Sequence, residues 1–103
     1  MSSRILSNML FAEKIRQLRE EKQLLQRQIS AALEIDNALY CKIERGDRQA
    51  KKIYIPVIAK ILQVDPEDLL ALWLADQVVA IMKEDKDMSD KVLSIAKQNI
   101  KNQ

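Results

Sequence analysis

Residues Gln26–Gly46 hold the pattern that most restricts how this chain can fold. The stretch QRQISAALEIDNALYCKIERG contains two short runs whose apolar residues have helical spacing, Ile29–Leu33 and Tyr40–Ile43. Asp36 is placed to cap the second run. Gly46, the single glycine of the chain, fits a helix end at which the backbone turns into the left-handed conformation. The stretch therefore predicts a short helix, a tight turn and a second short helix.

The composition extends this prediction to the whole chain. Its 103 residues are 48% hydrophobic and include one Gly and two Pro, which is typical of one compact all-α domain. No alternating apolar run of strand length and no hairpin dipeptide is present. A single cysteine and a first segment without a sustained apolar run predict a cytoplasmic protein.

The residues that carry most enzyme chemistry are missing. The chain has no histidine, so the commonest general base and metal ligand is absent. One cysteine cannot build a zinc site, and one glycine cannot build a phosphate-binding loop. We therefore expect no enzyme activity, no metal, no cofactor and no small-molecule ligand.

Four further helices are expected around the central pair. The first runs from about Leu10 to Lys22, with Ser7 or Asn8 as its cap and Arg16 and Arg19 on the solvent side, where phosphate contact is the alternative. A helix with Pro56 in its first turn begins between residues 53 and 55. The next is capped by Asp65 and runs from Pro66 to about Lys83, and the last is capped by Ser89 or Asp87 and ends near Ile100.

The helix that begins at Pro66 is apolar on more than one side. Between Leu69 and Met82 only Asp76 and Gln77 interrupt the apolar residues, and this segment of 14 residues is too short to span a membrane. Burial under the last helix is one explanation, and contact with a second copy of the chain is the other. If the chain is a homodimer, the predicted anchors are Trp73, Val78, Ile81 and Met82. The last helix then packs on its own chain or crosses to the partner.

Charge is distributed unevenly along the sequence. Residues 1–64 contain 12 Lys and Arg against 7 Asp and Glu, whereas residues 65–103 contain 5 against 8. Between Lys42 and Lys52 there are five basic and two acidic residues. A basic first part favours a polyanionic partner, although chance asymmetry and simple solvent exposure remain open for charges this few.

The second helix of the central pair presents a small, polar and basic face. With Tyr40 and Ile43 directed inward, an outward face is formed by Asn37, Ala38, Cys41, Lys42 and Arg45. Such a face suits a DNA groove or plain solvent. Cys41 is either a small neutral residue in a close interface or a redox-sensitive position.

Residues 10–72 resemble the Xre/Cro family of helix-turn-helix regulators, which is related to lambda repressor and Cro. The resemblance is carried by KIRQLREEK at residues 14–22, KIERG at 42–46 and IAKILQVDPEDLL at 58–70. It implies a five-helix DNA-binding domain at residues 1–72 and a helical extension for dimerisation at residues 73–103. Restriction–modification controller proteins are small members of this kind, and QAKK…LLALWLADQV is similar to regulators found beside DNA methyltransferases.

The resemblance also implies roles for single residues on double-stranded DNA. The helix from Asn37 to Arg45 would enter the major groove, with Gln26 supporting Asn37 or donating to a phosphate. Together with the outward face and the basic connector after Gly46, the resemblance gives the full set of expected contacts. The expected base contacts are Asn37, Ala38, Leu39, Cys41 and Lys42, and the expected backbone contacts are Gln26, Arg27, Arg45, Arg48 and Lys51.

Three positions depart from the family pattern. Glu34 replaces a usual turn glycine and predicts a turn that is strained or shaped differently. Leu25 replaces a usual Ser or Thr cap, and Pro56 falls in the fourth helix. The expected function is a sequence-specific transcriptional regulator that acts as a homodimer on a pseudo-palindromic operator. A protein-interaction module of the antitoxin type, using the apolar helix, is the alternative.

Overall fold

The computed structural model describes residues 9–103, in which all regular secondary structure is helical and no strand is present. The six α-helices are α1 (Met9–Glu21), α2 (Gln26–Leu33), α3 (Asn37–Arg45), α4 (Tyr54–Leu62), α5 (Pro66–Ile81) and α6 (Ser89–Lys101). A 3₁₀ turn, Lys86–Met88, precedes α6. The predicted all-α, lambda repressor-like class is confirmed, and the predicted helix limits agree to within about two residues.

One hydrophobic core lies between α1 and α5 and includes side chains from each of the first five helices. Its largest fully buried members are Ile15, Ile29, Tyr40, Ile43, Ile58, Leu62 and Leu69. Burying an aliphatic side chain of this size stabilises the fold by about 1.5–3 kcal/mol. The core therefore fixes α2 and α3 against α1, α4 and α5, which positions the outward face of α3.

Left-handed backbone follows four of the helices, at Gln23, Glu34, Gly46 and Gln63, and only one of these sites has a glycine. Gly46 closes α3 with φ 80°, as predicted. Glu34 after α2 and Gln63 after α4 both have φ 59°. A side chain in this conformation costs about 1–2 kcal/mol, so the predicted strain at Glu34 is confirmed.

The helix starts agree with the sequence at some positions and differ at others. The Asp65 carboxylate accepts from the Glu67 N–H at 2.9 Å, and Pro56 lies in the first turn of α4, both as predicted. Asp36 precedes α3, but its side chain accepts no hydrogen bond from the helix, so the predicted capping bond is wrong. Ser89 is the first residue of α6 and donates to the Lys86 carbonyl oxygen instead of capping the helix.

Leu25 precedes α2 in the place of a polar cap. The Leu25 N–H donates to Gln28 Oε1 at 2.6 Å, and the Gln28 N–H donates to the Leu25 carbonyl oxygen at 3.0 Å. Gln28 therefore closes this helix start and compensates in part for the missing Ser or Thr.

Asp76 of α5 caps the first helix. Its carboxylate is 3% exposed and accepts from the N–H groups of Leu10 and Phe11, each at 3.0 Å. Two of the free N–H groups at the start of α1 are thus satisfied by a side chain distant in sequence. The predicted caps Ser7 and Asn8 lie outside the described residues.

The later helices differ in how they attach to the core. α5 continues without a break through residues 72 and 73, and Trp73 donates its indole N–H to the Ala50 carbonyl oxygen at 2.8 Å. α6 has no buried residue, and it packs within the chain against the 3₁₀ turn. Across residues 9–103, no helix is both long and apolar enough to cross a membrane.

Candidate nucleic-acid interface

The outward face of α3 is built as the sequence predicted. Tyr40 and Ile43 are buried, while Asn37, Ala38, Lys42 and Arg45 are exposed on the other side. The two remaining predicted base-contact residues, Leu39 and Cys41, are half-buried, and Leu39 packs against the core. The face therefore presents one amide, a small side chain and two cations.

Asn37 is held in place by residues of both helices. Its Oδ1 accepts from the Ser30 hydroxyl at 3.1 Å, and its Nδ2 donates to Cys41 Sγ at 3.8 Å. An asparagine amide has two N–H donors and two lone pairs on its oxygen. One donor and one acceptor therefore stay free on an exposed side chain, and this pair is what the major-groove edge of adenine requires.

Gln26, the first residue of α2, connects to the same group through the thiol of Cys41. The Cys41 thiol donates to Gln26 Oε1 at 3.0 Å, and Gln26 Nε2 donates to Glu44 Oε1 at 3.0 Å. Gln26 therefore reaches Asn37 through Cys41 rather than directly. The small sulfur atom joins the start of α2 to the start of α3.

A buried ion pair supports this arrangement from below. Arg19 Nε donates to Glu44 Oε2 at 2.7 Å, and a second guanidinium N–H donates to Oε1 at 3.0 Å. Arg19 also donates to the Leu24 carbonyl oxygen at 2.9 Å. The hydrogen bond to Glu44 raises the pKa of Arg19, while burial acts in the opposite direction. The placement of Arg19 on the solvent side was wrong.

Glu44 is the residue that sequence reasoning missed. It is 3% exposed and accepts from α1 and α2 at once, so it fixes the angle of α3 against both helices. The signal was available, because Glu44 follows Tyr40 by four residues and so lies on the buried side of the helix. Bidentate pairing of this kind is geometrically specific.

Tyr40 lies beside this ion pair with an unused hydroxyl. Among the described residues, Tyr40 Oη is the buried side-chain polar atom without a hydrogen-bond partner. Burial, followed by the nearby Glu44 carboxylate, raises the pKa of Tyr40. The phenol therefore stays neutral in the folded protein.

Exposed basic side chains precede and follow the α3 face along the chain. Arg27 is exposed at the start of α2, and Arg48 and Lys51 are exposed in the connector after α3. Arg45 pairs with Asp47 at 2.9 Å, and both side chains are more than half exposed. Such a pair contributes at most about 1 kcal/mol, so Arg45 can exchange Asp47 for another anion at little cost.

The four predicted dimer anchors fall into two groups. Val78 and Ile81 are 39% and 75% exposed, so both offer apolar surface. Met82 is 9% exposed, and Trp73 is half-buried with its N–H donated to Ala50. The second pair is engaged within its own chain.

Comparison with known proteins assigns the chain to a family. Residues 10–73, more than half of the chain, match the family described as helix-turn-helix domain. No curated protein and no solved structure gave a significant match. Because the matched residues contain α2, the turn at Glu34 and α3 with its exposed face, this chain belongs to the helix-turn-helix domain family.

Proposed function

We propose that this protein is a sequence-specific transcriptional regulator that binds double-stranded DNA as a homodimer. The observation that carries the proposal is the Asn37 amide, which Ser30 and Cys41 hold on the exposed face of α3. One donor and one acceptor of that amide are free to pair with adenine in the major groove. A held side chain reads a base at lower entropic cost than a mobile one.

The other residues of the α3 face add smaller contributions to base reading. Lys42 is exposed and reaches either guanine acceptors or a phosphate, and Ala38 is small enough for the groove to come close. Cys41 lies at the edge of the contact, since its sulfur already meets Gln26 and Asn37. Leu39, which is half-buried, offers only part of its side chain to a thymine methyl group.

Phosphate contacts would fix the position of α3 in the groove. Arg27 and the N-terminal end of α2 would contact the phosphates of one DNA strand. Arg45, Arg48 and Lys51, which lie at the end of α3 and after it in the chain, would contact other phosphates. Gln26 has an N–H group of its amide left for a phosphate after it donates to Glu44. Each cation that neutralises a phosphate releases a counterion, so affinity should fall steeply with salt.

A homodimer would place two copies of α3 in successive major grooves, about 34 Å apart. Its operator would therefore be pseudo-palindromic. We assign residues 1–72 to DNA binding and residues 73–103 to dimerisation, in a cytoplasmic protein without catalytic activity. The resemblance to small controller proteins supports a role at a restriction–modification or methyltransferase locus.

Selection of bound sites from a random DNA pool tests the proposal, followed by a salt titration on random and on selected DNA. A two-fold symmetric selected site and a steep loss of affinity with salt are expected. Absence of binding to any DNA at low salt would contradict the proposal and favour the antitoxin-type interaction module. A selected site without symmetry would contradict the homodimer alone.

A further inference from the structure

α6 is a strongly amphipathic helix that its own chain leaves uncovered. Its apolar face, here called the α6 stripe, consists of Val92, Leu93, Ile95 and Ile100, which are 37–72% exposed. The opposite face is polar throughout, with Ser94, Lys97 and Lys101 along it. An isolated helix of 13 residues is marginal in water, so α6 needs a surface on which to bury its stripe.

A second apolar surface lies on the exposed side of α5. Leu74, Val78 and Ile81, here called the α5 stripe, follow one another at intervals of four and three residues and are 39–75% exposed. The opposite side of the same helix carries Leu69 and Asp76, which are buried against the core. α5 is thus fixed to the domain on one side and unoccupied on the other.

We infer that α6 crosses to a second copy of this chain and buries its stripe on the α5 stripe of the partner. The inference rests on the proposed homodimer and specifies how it is built. A two-fold axis makes the exchange reciprocal, so both stripes of both copies are covered by one symmetric contact. The residues that join α5 to α6, 82–88, do not bring α6 back onto its own α5.

The two stripes together offer the area of a small specific interface. The seven side chains of the two stripes are about half exposed on average. At roughly 60–120 Å² per aliphatic side chain, burying them in both copies removes about 450–900 Å² of apolar surface from water. Since about 65% of a homodimer interface is apolar, the total is on the order of 700–1,400 Å², which reaches the lower limit of roughly 1,000 Å² for a specific interface.

Charge argues against DNA as the occupant of this end of the molecule. Residues 65–103 carry 8 acidic and 5 basic side chains, and the connector before α6 contains Glu84, Asp85 and Asp87. A polyanion is repelled by such a segment. A second copy brings the same apolar stripes and the Lys97 and Lys101 of its own α6.

Leu93→Lys tests the interface, with Ser94→Lys on the polar face as a control of equal charge. Sedimentation equilibrium of the full chain should show a dimer for the wild type and for Ser94→Lys. The dissociation constant of the Leu93→Lys dimer should be at least about 100-fold higher than that of the wild type, because the symmetric interface loses the burial of this leucine in both copies. Near-UV circular dichroism of Trp73 checks that the domain still folds. A monomeric wild type, or an unaffected Leu93→Lys dimer, overturns the inference.

Cross-linking separates exchange from other pairings. Two chains that lack Cys41, one with Val78→Cys and one with Val92→Cys, are mixed and treated with a short bis-maleimide. A covalent heterodimer of the two variants is expected. Cross-linking of the Val92→Cys chain only with itself, or a cross-linked monomer when both cysteines share one chain, overturns the exchange.

Failure of this inference and failure of the proposed function are distinguishable. The wild-type dimer and its cross-links are measured without DNA, so they stand even if no DNA binds. Conversely, a monomer that binds DNA with a steep salt dependence keeps the DNA-binding proposal and removes the homodimer together with the exchange.

Discussion

In the proposed regulator, Asn37 reads one base pair, and its replacement should remove that discrimination alone. Asn37→Ala loses both the free donor and the free acceptor, so the preference for adenine at that position should fall by about 1–3 kcal/mol. Competition binding with operators that differ at single positions measures the loss. Arg48→Ala is the control and should weaken all sequences alike and reduce the salt slope by about one. Unchanged discrimination in Asn37→Ala would mean that α3 lies differently in the groove.

Tyr40 gives a prediction about stability and pH. Its hydroxyl is buried without a partner, so Tyr40→Phe should be neutral or stabilise the fold by up to about 1 kcal/mol at pH 7. The folded-state pKa of Tyr40 lies above its ordinary value of 10.0. Above pH 10, the unfolded chain releases this proton while the folded chain keeps it, so the wild type loses stability as pH rises and the phenylalanine variant lacks this loss.

Urea unfolding of both proteins at neutral pH and above pH 10 measures this difference. All ionisable groups other than Tyr40 are common to both proteins, so their contributions cancel in the comparison. A loss of stability in Tyr40→Phe at pH 7 would show instead that the hydroxyl donates to Glu44.

The turn between α2 and α3 carries strain that a glycine would remove. Glu34→Gly relieves about 1–2 kcal/mol of left-handed strain but adds about 0.5–1 kcal/mol of unfolded-state entropy. We expect a net gain of up to about 1 kcal/mol, which is a few degrees in melting temperature. Ala31→Gly, in the last turns of α2, is the control and should lose about 1 kcal/mol. Equal losses in both variants would show that the Glu34 side chain stabilises the turn.

The helices were predictable because each is specified by nearby residues. Apolar spacing, Pro66 after Asp65, and Gly46 after α3 gave type and limits without tertiary information. Long-range partners were not predictable in this way. Asp76 caps a helix 65 residues away, and Glu44 binds Arg19 across 25 residues, so neither pairing leaves a pattern in one local window.

The exposed face of α3 could be phased from the sequence, whereas its support could not. Periodicity placed Ala38, Lys42 and Arg45 outward because a short helix with two inward anchors has one possible phase. The bonds from Asn37 to Ser30 and Cys41 depend on the angle between two helices, which the core sets. For α6 the sequence left two environments open, its own chain or a partner, because local periodicity does not tell which surface covers an apolar stripe.

In the proposed dimer, a basic part of each chain faces DNA, and an acidic, apolar part joins the two copies. Residues 1–64 have a net charge of +5 and residues 65–103 of −3. One recognition helix of nine residues makes few base contacts, and linking two of them makes the second binding event intramolecular. Linkage of this kind raises affinity by about 10²–10⁴ without any new contact. Specificity would therefore depend on α6 although it touches no DNA.

This dependence predicts how a dimer-breaking variant should bind. Leu93→Lys should bind a full operator about 100-fold or more weakly than the wild type, because the gain from linkage is lost. Its affinity for an isolated half-site should stay unchanged, since α3 and its basic surroundings are intact.

Fluorescence anisotropy with labelled full and half operators measures both affinities, and Ser94→Lys controls for the added charge. If full-operator affinity falls equally in both variants, charge near α6 acts on DNA directly and dimerisation is not the cause. If half-site affinity also falls in Leu93→Lys alone, α6 supports the fold of the DNA-binding part.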